Sequence, residues 1–177
     1  MRKTILYIAM TLDGYIADDK DDFSFLAPYN GLESVSKSYE SLLSRIDTLI
    51  MGKRTFDVIN RIVDWPYQSI ESYIMTRKIE KDQDHIFYRS DIKELITELK
   101  NKNGKDIWIV GGGLLISSML EMNLIDEFQI AIVPKLIGSG KPLFPSMNYL
   151  EDLELIEMKN LDGLVFLTYK KNNSIGC

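Results

Sequence analysis

The chain has 177 residues, 45% of them hydrophobic, which suits one domain with a sizeable core. Its 21 basic residues against 26 acidic ones give a net charge of −5, which argues against the basic face that a nucleic-acid partner requires. A single histidine (His85) and a single cysteine (Cys177) exclude an intramolecular disulfide and speak against a Cys/His metal site.

Thr4–Met10 is a nearly continuous apolar run and reads as a central strand. Basic residues before it imitate a leader peptide. Asp13 follows too soon for that, and no small-residue cleavage pattern stands out. No stretch approaches the about 18 apolar residues of a membrane span, so a cytoplasmic protein is the default expectation. Asp13-Gly14 marks a turn, and Asp18–Asp22 (DDKDD) reads as a solvated acidic loop. A helix begins at Asn30 or Glu33 and reaches about Arg45, with Val35, Tyr39, Leu42, Leu43 and Ile46 on one side. Thr48–Met51 is a short strand ended by Gly52, and Lys53–Asn60 opens a helix. Trp65-Pro66 falls in a loop, and Ser72–Met75 and Ile86–Tyr88 are brief strands. Asp91–Lys102 is the clearest helix, because Ile92, Leu95, Ile96 and Leu99 share one face. Ser90 or Asp91 suits its start, and Gly104 its end. Ile107–Val110 is a strand, Leu114–Met122 a helix, and Glu127–Val133 a strand stopped by Pro134. Leu153–Lys159 and Leu164–Lys170 form a final hairpin turned at Asp162-Gly163.

This order predicts an α/β fold in three layers. A largely parallel sheet carries helices on both faces, and the late hairpin makes an antiparallel edge. No repeat, low-complexity tract or linker interrupts it, so one domain is expected over 1–171, with 172–177 as a flexible tail.

Residues 107–120, IWIVGGGLLISSML, place three glycines between a strand and a helix. Glycine costs about 0.5–1 kcal/mol relative to alanine inside regular structure, so a close approach to the backbone is implied. In an open α/β sheet, ligands sit beyond the carboxyl ends of strands, where a helix aims free N–H groups and the positive end of its dipole. Phosphate suits such a point; a tight turn without ligand is the equal alternative. The spacing is not GxGxxG.

A second strand end, LIMGKRTFDVI over 49–59, puts Lys53, Arg54 and Thr55 in a helix's first turn. Cations there oppose the dipole by about 0.3–1 kcal/mol, which a bound anion would offset. A third, IMTRK, ends in Thr76, Arg77 and Lys78. One dinucleotide with several phosphates explains all three; exposed surface charge is the alternative for the basic residues. His85 reads as a surface residue. Gly138–Lys141 lacks P-loop spacing and reads as a turn near a substrate cleft or a dimer interface.

The residues resemble a known superfamily. MGKRTF (51–56) is similar to the MGRxTF/W motif of dihydrofolate reductases, and IVGGGLLISSML (109–120) to their glycine turn and following helix. TLDGYIA (11–17) and DEFQIAIVPKLIGSGKPLFP (126–145) are closer to the reductase domain of bifunctional riboflavin-biosynthesis deaminase/reductases. The resemblance implies a dihydrofolate reductase-like sheet that binds NADPH across its middle. Gly52, Lys53, Arg54 and Thr55 would hold the pyrophosphate and 2′-phosphate side, and Thr76, Arg77 and Lys78 would flank the 2′-phosphate. Gly111, Gly112, Gly113 and Leu114 would meet the pyrophosphate, and Ala9 and Ile16 the nicotinamide. A homodimer is implied, and no metal.

Two positions depart from dihydrofolate reductases. Ser36 stands where those enzymes carry a substrate-binding carboxylate, sixteen positions before Gly52, with Glu33 and Glu40 three and four residues away. Ile116 stands where their glycine-turn helix carries tyrosine. Asp13 is the candidate to bind or help protonate the substrate, with a turn-capping role as its alternative. Phe23, Phe25, Tyr39 and Trp65 are candidate pocket walls. The implied activity is NADPH-dependent reduction of a small heterocyclic or carbonyl substrate. A true dihydrofolate reductase and a non-enzymatic nucleotide-binding module are the alternatives.

Overall fold

The computed structural model describes residues 1–145 and 150–172. Its strands are β1 (Thr4–Thr11), β2 (Tyr15–Ala17), β3 (Ile46–Gly52), β4 (Glu71–Met75), β5 (Ile86–Arg89), β6 (Asp106–Gly111), β7 (Glu127–Val133), β8 (Lys141–Pro142), β9 (Leu153–Leu161) and β10 (Leu164–Lys171). The helices are α1 (Glu33–Arg45), α2 (Lys53–Ile62), α3 (Ile92–Asn101) and α4 (Gly113–Glu121), and Ser24–Tyr29 forms a 3-10 segment. Eight strands make one sheet in the order β5-β4-β3-β6-β1-β7-β10-β9. The first six are parallel, and β10 and β9 run antiparallel at the edge.

Period-2 alternation splits the core between the two faces. Ile5, Leu49, Met51, Ile74 and Trp108 face α1 and α2, where Leu42 and Phe56 cover them. Leu6, Ile50, Ile107 and Ile109 face α3 and α4, which contribute Leu95, Ile96, Leu99, Ile116 and Met119. The neighbouring strands β3 and β6 therefore send their following helices to opposite faces. That geometry opens a crevice at their carboxyl ends. The burial of β1 follows from it: Thr4–Leu6 are buried, while Tyr7–Met10 are partly open.

Asp91 caps α3 as its sequence implies, accepting from the Glu94 N–H at 2.9 Å. Gly104 does not close that helix, which ends in extended backbone at Lys102. Gly104 instead makes room for a polar cluster. A Cβ on it would stand 2.7 Å from Asp47 Oδ2 and 2.9 Å from Arg2 Cζ. Arg2 is 7% exposed. It donates from Nε to Lys105 O at 2.6 Å and from Nη2 to Thr48 Oγ1 at 2.6 Å and to the Asp47 carboxylate. The final hairpin turns at Asp162 and Gly163, with φ of 53° and 95°, the left-handed pair that matches strand twist.

Two elements have no periodic signature. β2 and β8 pair antiparallel through Tyr15–Pro142 and Ala17–Lys141, too short to show alternation. The proposed tail lies outside the described residues except for Asn172, whose N–H donates to Asp152 O at 3.0 Å. No helix among the described residues is long and apolar enough to cross a membrane.

Candidate active site

The crevice holds a cleft of about 950 Å³. One end is built from the two glycine turns. Gly52 and Gly112 are the N-cap positions of α2 and α4; neither helix has a side-chain cap or an acidic residue in its first turn. Their free N–H groups and dipole ends converge there, because a Cβ on Gly52 would lie 3.9 Å from Gly112 N. A Cβ on Gly112 would meet Thr55 Oγ1 at 3.4 Å, so that hydroxyl faces the same gap. Gly113 has another task. A Cβ there would sit 2.6 Å from Pro142 O and 3.3 Å from Pro145 Cγ, so its absence lets the 142–145 segment close over α4. Gly111 is buried at φ +126°, and the Gly111–Gly112 peptide is cis.

Of the candidate cofactor residues, Ala9, Ile16, Gly52, Lys53, Arg54, Thr55, Gly112, Gly113 and Leu114 line the cleft. Gly111 lies behind it. Thr76, Arg77 and Lys78 lie outside the lining, at the end of β4, one strand beyond Gly52 in the sheet. Lys53 leans toward them. Its Nζ lies 2.5 Å from Asp57 and 3.5 Å from Glu80, and the Asp57 hydrogen bond holds its pKa above the ordinary lysine value.

The other end of the cleft is aromatic and uncharged. Tyr7, Tyr39 and Tyr67 surround Trp108, with ring centroids 6.3, 5.9 and 5.4 Å from it and steep interplanar angles. The Tyr39 and Tyr67 hydroxyls are 3.5 Å apart. Burial, with Tyr39 second, pushes the Tyr67 pKa well up, so its hydroxyl keeps its proton. Phe23 and Tyr39 line the cleft as expected. Phe25 packs instead with Val133 and Phe166, and Trp65 against Phe56 and Tyr67. Ser36 lines the wall; Glu33 and Glu40 are exposed and outside it. Asp21 is the one carboxylate among the described lining residues.

Asp13 is not among the lining residues. Its Oδ1 accepts from Thr11 Oγ1 at 2.5 Å, and its Oδ2 accepts from the N–H groups of Ile137 and Gly138 at 2.9 and 2.8 Å. The Thr11 hydrogen bond, with these backbone donors, lowers its pKa, so the group is ionised at neutral pH. This is the capping role, played on a loop 124 residues away in sequence rather than on the local turn. Asp21, Tyr67 and Trp108 were not singled out by sequence reasoning as part of the site. They reach it from three separate elements, and no spacing links them.

The glycine-entered helices meeting at the switch point of a mostly parallel sheet define a dihydrofolate reductase-like fold with a ligand crevice. The chain belongs to the RibD C-terminal domain family, whose profile matches residues 2–167. It is 33% identical over 171 residues to the uncharacterized protein YwjB of Bacillus subtilis, covering 95% of this chain and 97% of that one. Among solved structures, a putative riboflavin biosynthesis protein from Shewanella sp. PV-4 superposes with a TM-score of 0.86 at 30% identity, covering 97% of this chain and 99% of that one. Dihydrofolate reductase from Enterococcus faecalis, complexed with NADP(H) and RAB-propyl, superposes with a TM-score of 0.72 at 15% identity, covering 97% of each chain. That likeness is one of fold. The family is one of reductase domains, and the chain is a reductase-type protein.

Proposed function

We propose that the protein is an NADPH-dependent oxidoreductase that transfers hydride to a small heterocyclic or carbonyl substrate. The observation that carries this reading is the convergence of two uncapped helix N-termini, with Thr55, Lys53 and Arg54 beside them, at one end of a cleft whose other end is aromatic. The residues present fit a phosphate-rich dinucleotide. Gly112 leaves a cradle under Thr55 that a Cβ would narrow, and the first-turn N–H groups of α2 and α4 have no side-chain cap. Gly52, Gly112, Gly113 and Thr55 would hold the pyrophosphate. Lys53, with Thr76, Arg77 and Lys78 beyond it, would take the 2′-phosphate.

When bound, the reduced nicotinamide supplies the hydride. The chain's residues orient and dry the site. Ala9 and Ile16 offer a flat apolar seat, and the tyrosines around Trp108 exclude water from the acceptor. With its Oδ2 engaged by two backbone N–H groups, Asp13 holds the 137–138 loop in place and has no proton to give. Tyr39 donates to Tyr67, and the Tyr67 hydroxyl, which keeps its own proton, is the donor available toward the acceptor.

Calorimetric titration with NADPH and NADH tests the reading. Micromolar or tighter NADPH binding, with NADH at least tenfold weaker, is the expected result; no binding of either removes it.

A homodimer belongs to the same proposal, as does a cytoplasmic location. β9 is an edge strand exposed along most of its length, and Leu155, Met158 and Val165 are 50%, 67% and 41% exposed. Met158→Glu is expected to convert a dimer to a monomer in light scattering. A wild-type monomer, or a variant that stays dimeric, rejects this surface as the interface.

A further inference from the structure

One contact at the mouth of the cleft has no part in the cofactor site as described. Arg54 donates from both Nε and Nη2 to Asp21 Oδ2, at 2.9 and 2.5 Å. Both residues line the cleft. Among the described residues this is the one ion pair between the 18–22 loop and α2. The Asp21 side chain is 21% exposed and that of Arg54 69%.

The loop is built to present Asp21. Asp18 Oδ1 accepts from the N–H groups of Lys20 and Asp22 at 2.7 and 2.8 Å, and the Asp18 N–H donates to Asp22 O at 2.8 Å. Asp21, at the tip, has φ +66°, the left-handed region that a non-glycine residue adopts at some cost. The far side of the loop is anchored. Ser139 Oγ donates to Asp19 Oδ2 at 2.7 Å, and a Cβ on Gly140 would overlap Ala17 O at 2.2 Å. The loop is thus fixed on the 139–141 side and tied to α2 through Asp21.

We infer that Asp21 is a built-in competitor for the cofactor. Its carboxylate occupies, on Arg54, the place of a cofactor phosphate. The inference rests on the reading that Arg54 serves such a phosphate. The Nε/Nη2 edge of a guanidinium is the fork that takes a carboxylate or a phosphate, and it cannot serve both at once. A phosphate at this point also meets the free N–H groups of α2, which the Asp21 carboxylate does not use, so the phosphate prevails. Displacement removes the loop's tie to α2. The loop leads directly into Phe23, which lines the cleft. Cofactor binding therefore loosens the mouth through which the acceptor enters, and the order of binding is cofactor first.

Calorimetry of NADPH binding to wild type, Asp21→Asn, Arg54→Gln and the double variant tests this, with amide hydrogen exchange over 18–24 as the second readout. Exposed ion pairs contribute little, so Asp21→Asn is expected to tighten NADPH binding by about threefold. Arg54→Gln weakens binding, and in its background the Asp21→Asn gain disappears. NADPH speeds exchange at 19–22. Unchanged or weaker binding by Asp21→Asn overturns the inference while leaving the cofactor reading intact, and so does NADPH slowing exchange at 19–22. Failure of all four proteins to bind NADPH overturns both.

Discussion

Gly113→Ala is expected to lower NADPH affinity by at least tenfold and the melting temperature by roughly 4–8 °C. The added Cβ has no room: Pro142 O would be 2.6 Å away and Pro145 Cγ 3.3 Å away. Neither neighbour is the end of a flexible side chain. The 142–145 segment has to move off the first turn of α4, breaking the β2–β8 pairing through Tyr15–Pro142 and Ala17–Lys141. Overpacking of this kind costs typically about 1–3 kcal/mol, and in a chain of this size about 2 kcal/mol corresponds to the stated shift. The affinity loss has a second source, because the displaced segment borders the N–H groups of α4 at the proposed pyrophosphate site. Thermal denaturation with and without NADPH separates the two. A variant that melts and binds like wild type would show that the 142–145 segment yields freely, and Gly113 would then be a packing convenience.

Arg2→Ala is expected to destabilise the fold by about 3 kcal/mol, roughly 6–12 °C in melting temperature, without touching the cleft. Arg2 lies at the amino ends of the strands, opposite the site. It joins β1 to β3 through Thr48 and Asp47 and to the segment before β6 through Lys105 O. Removing it leaves Thr48 Oγ1 and Lys105 O without this donor and leaves Asp47 without its cation. The Asp47 side chain is 42% exposed and can turn to water, which places the cost at the low end for a broken buried pair. NADPH affinity should be unchanged. Chemical denaturation and calorimetry on one preparation check both halves. A stability loss below about 1 kcal/mol would mean that water replaces the guanidinium at each partner.

Gly104 and Gly113 are two kinds of glycine. Gly104 sits in a plain helix-end pattern, and sequence reasoning assigned it to close α3. The structure spends it on the Arg2–Asp47 pair, which joins residues 45 positions apart. Local pattern cannot register such a contact, because the constraint is the volume of side chains brought in by other strands. Gly113 belongs to a motif visible in sequence, yet half its reason lies in Pro142 O, on a strand of two residues with no period to read.

Much of this protein was decided by local physics. The long apolar or periodic segments set β1, α3, β7 and the closing hairpin, because burial of one face or both leaves a repeat that no neighbour can erase. Alternation of those elements implied the parallel sheet and its three layers. The strand–glycine–helix junctions at Gly52 and Gly111–Gly113 marked one end of the cleft, since glycine and a missing cap are local facts. What only the tertiary structure decided is everything made by side chains meeting across the sheet. Asp13 binds the backbone of a remote loop, and an acidic surface loop supplies Asp21 to Arg54. The other wall of the cleft was gathered from Ser36 on α1, Tyr67 before β4 and Trp108 on β6. These contacts join residues far apart in the chain, and their energies depend on distances that the sequence does not contain.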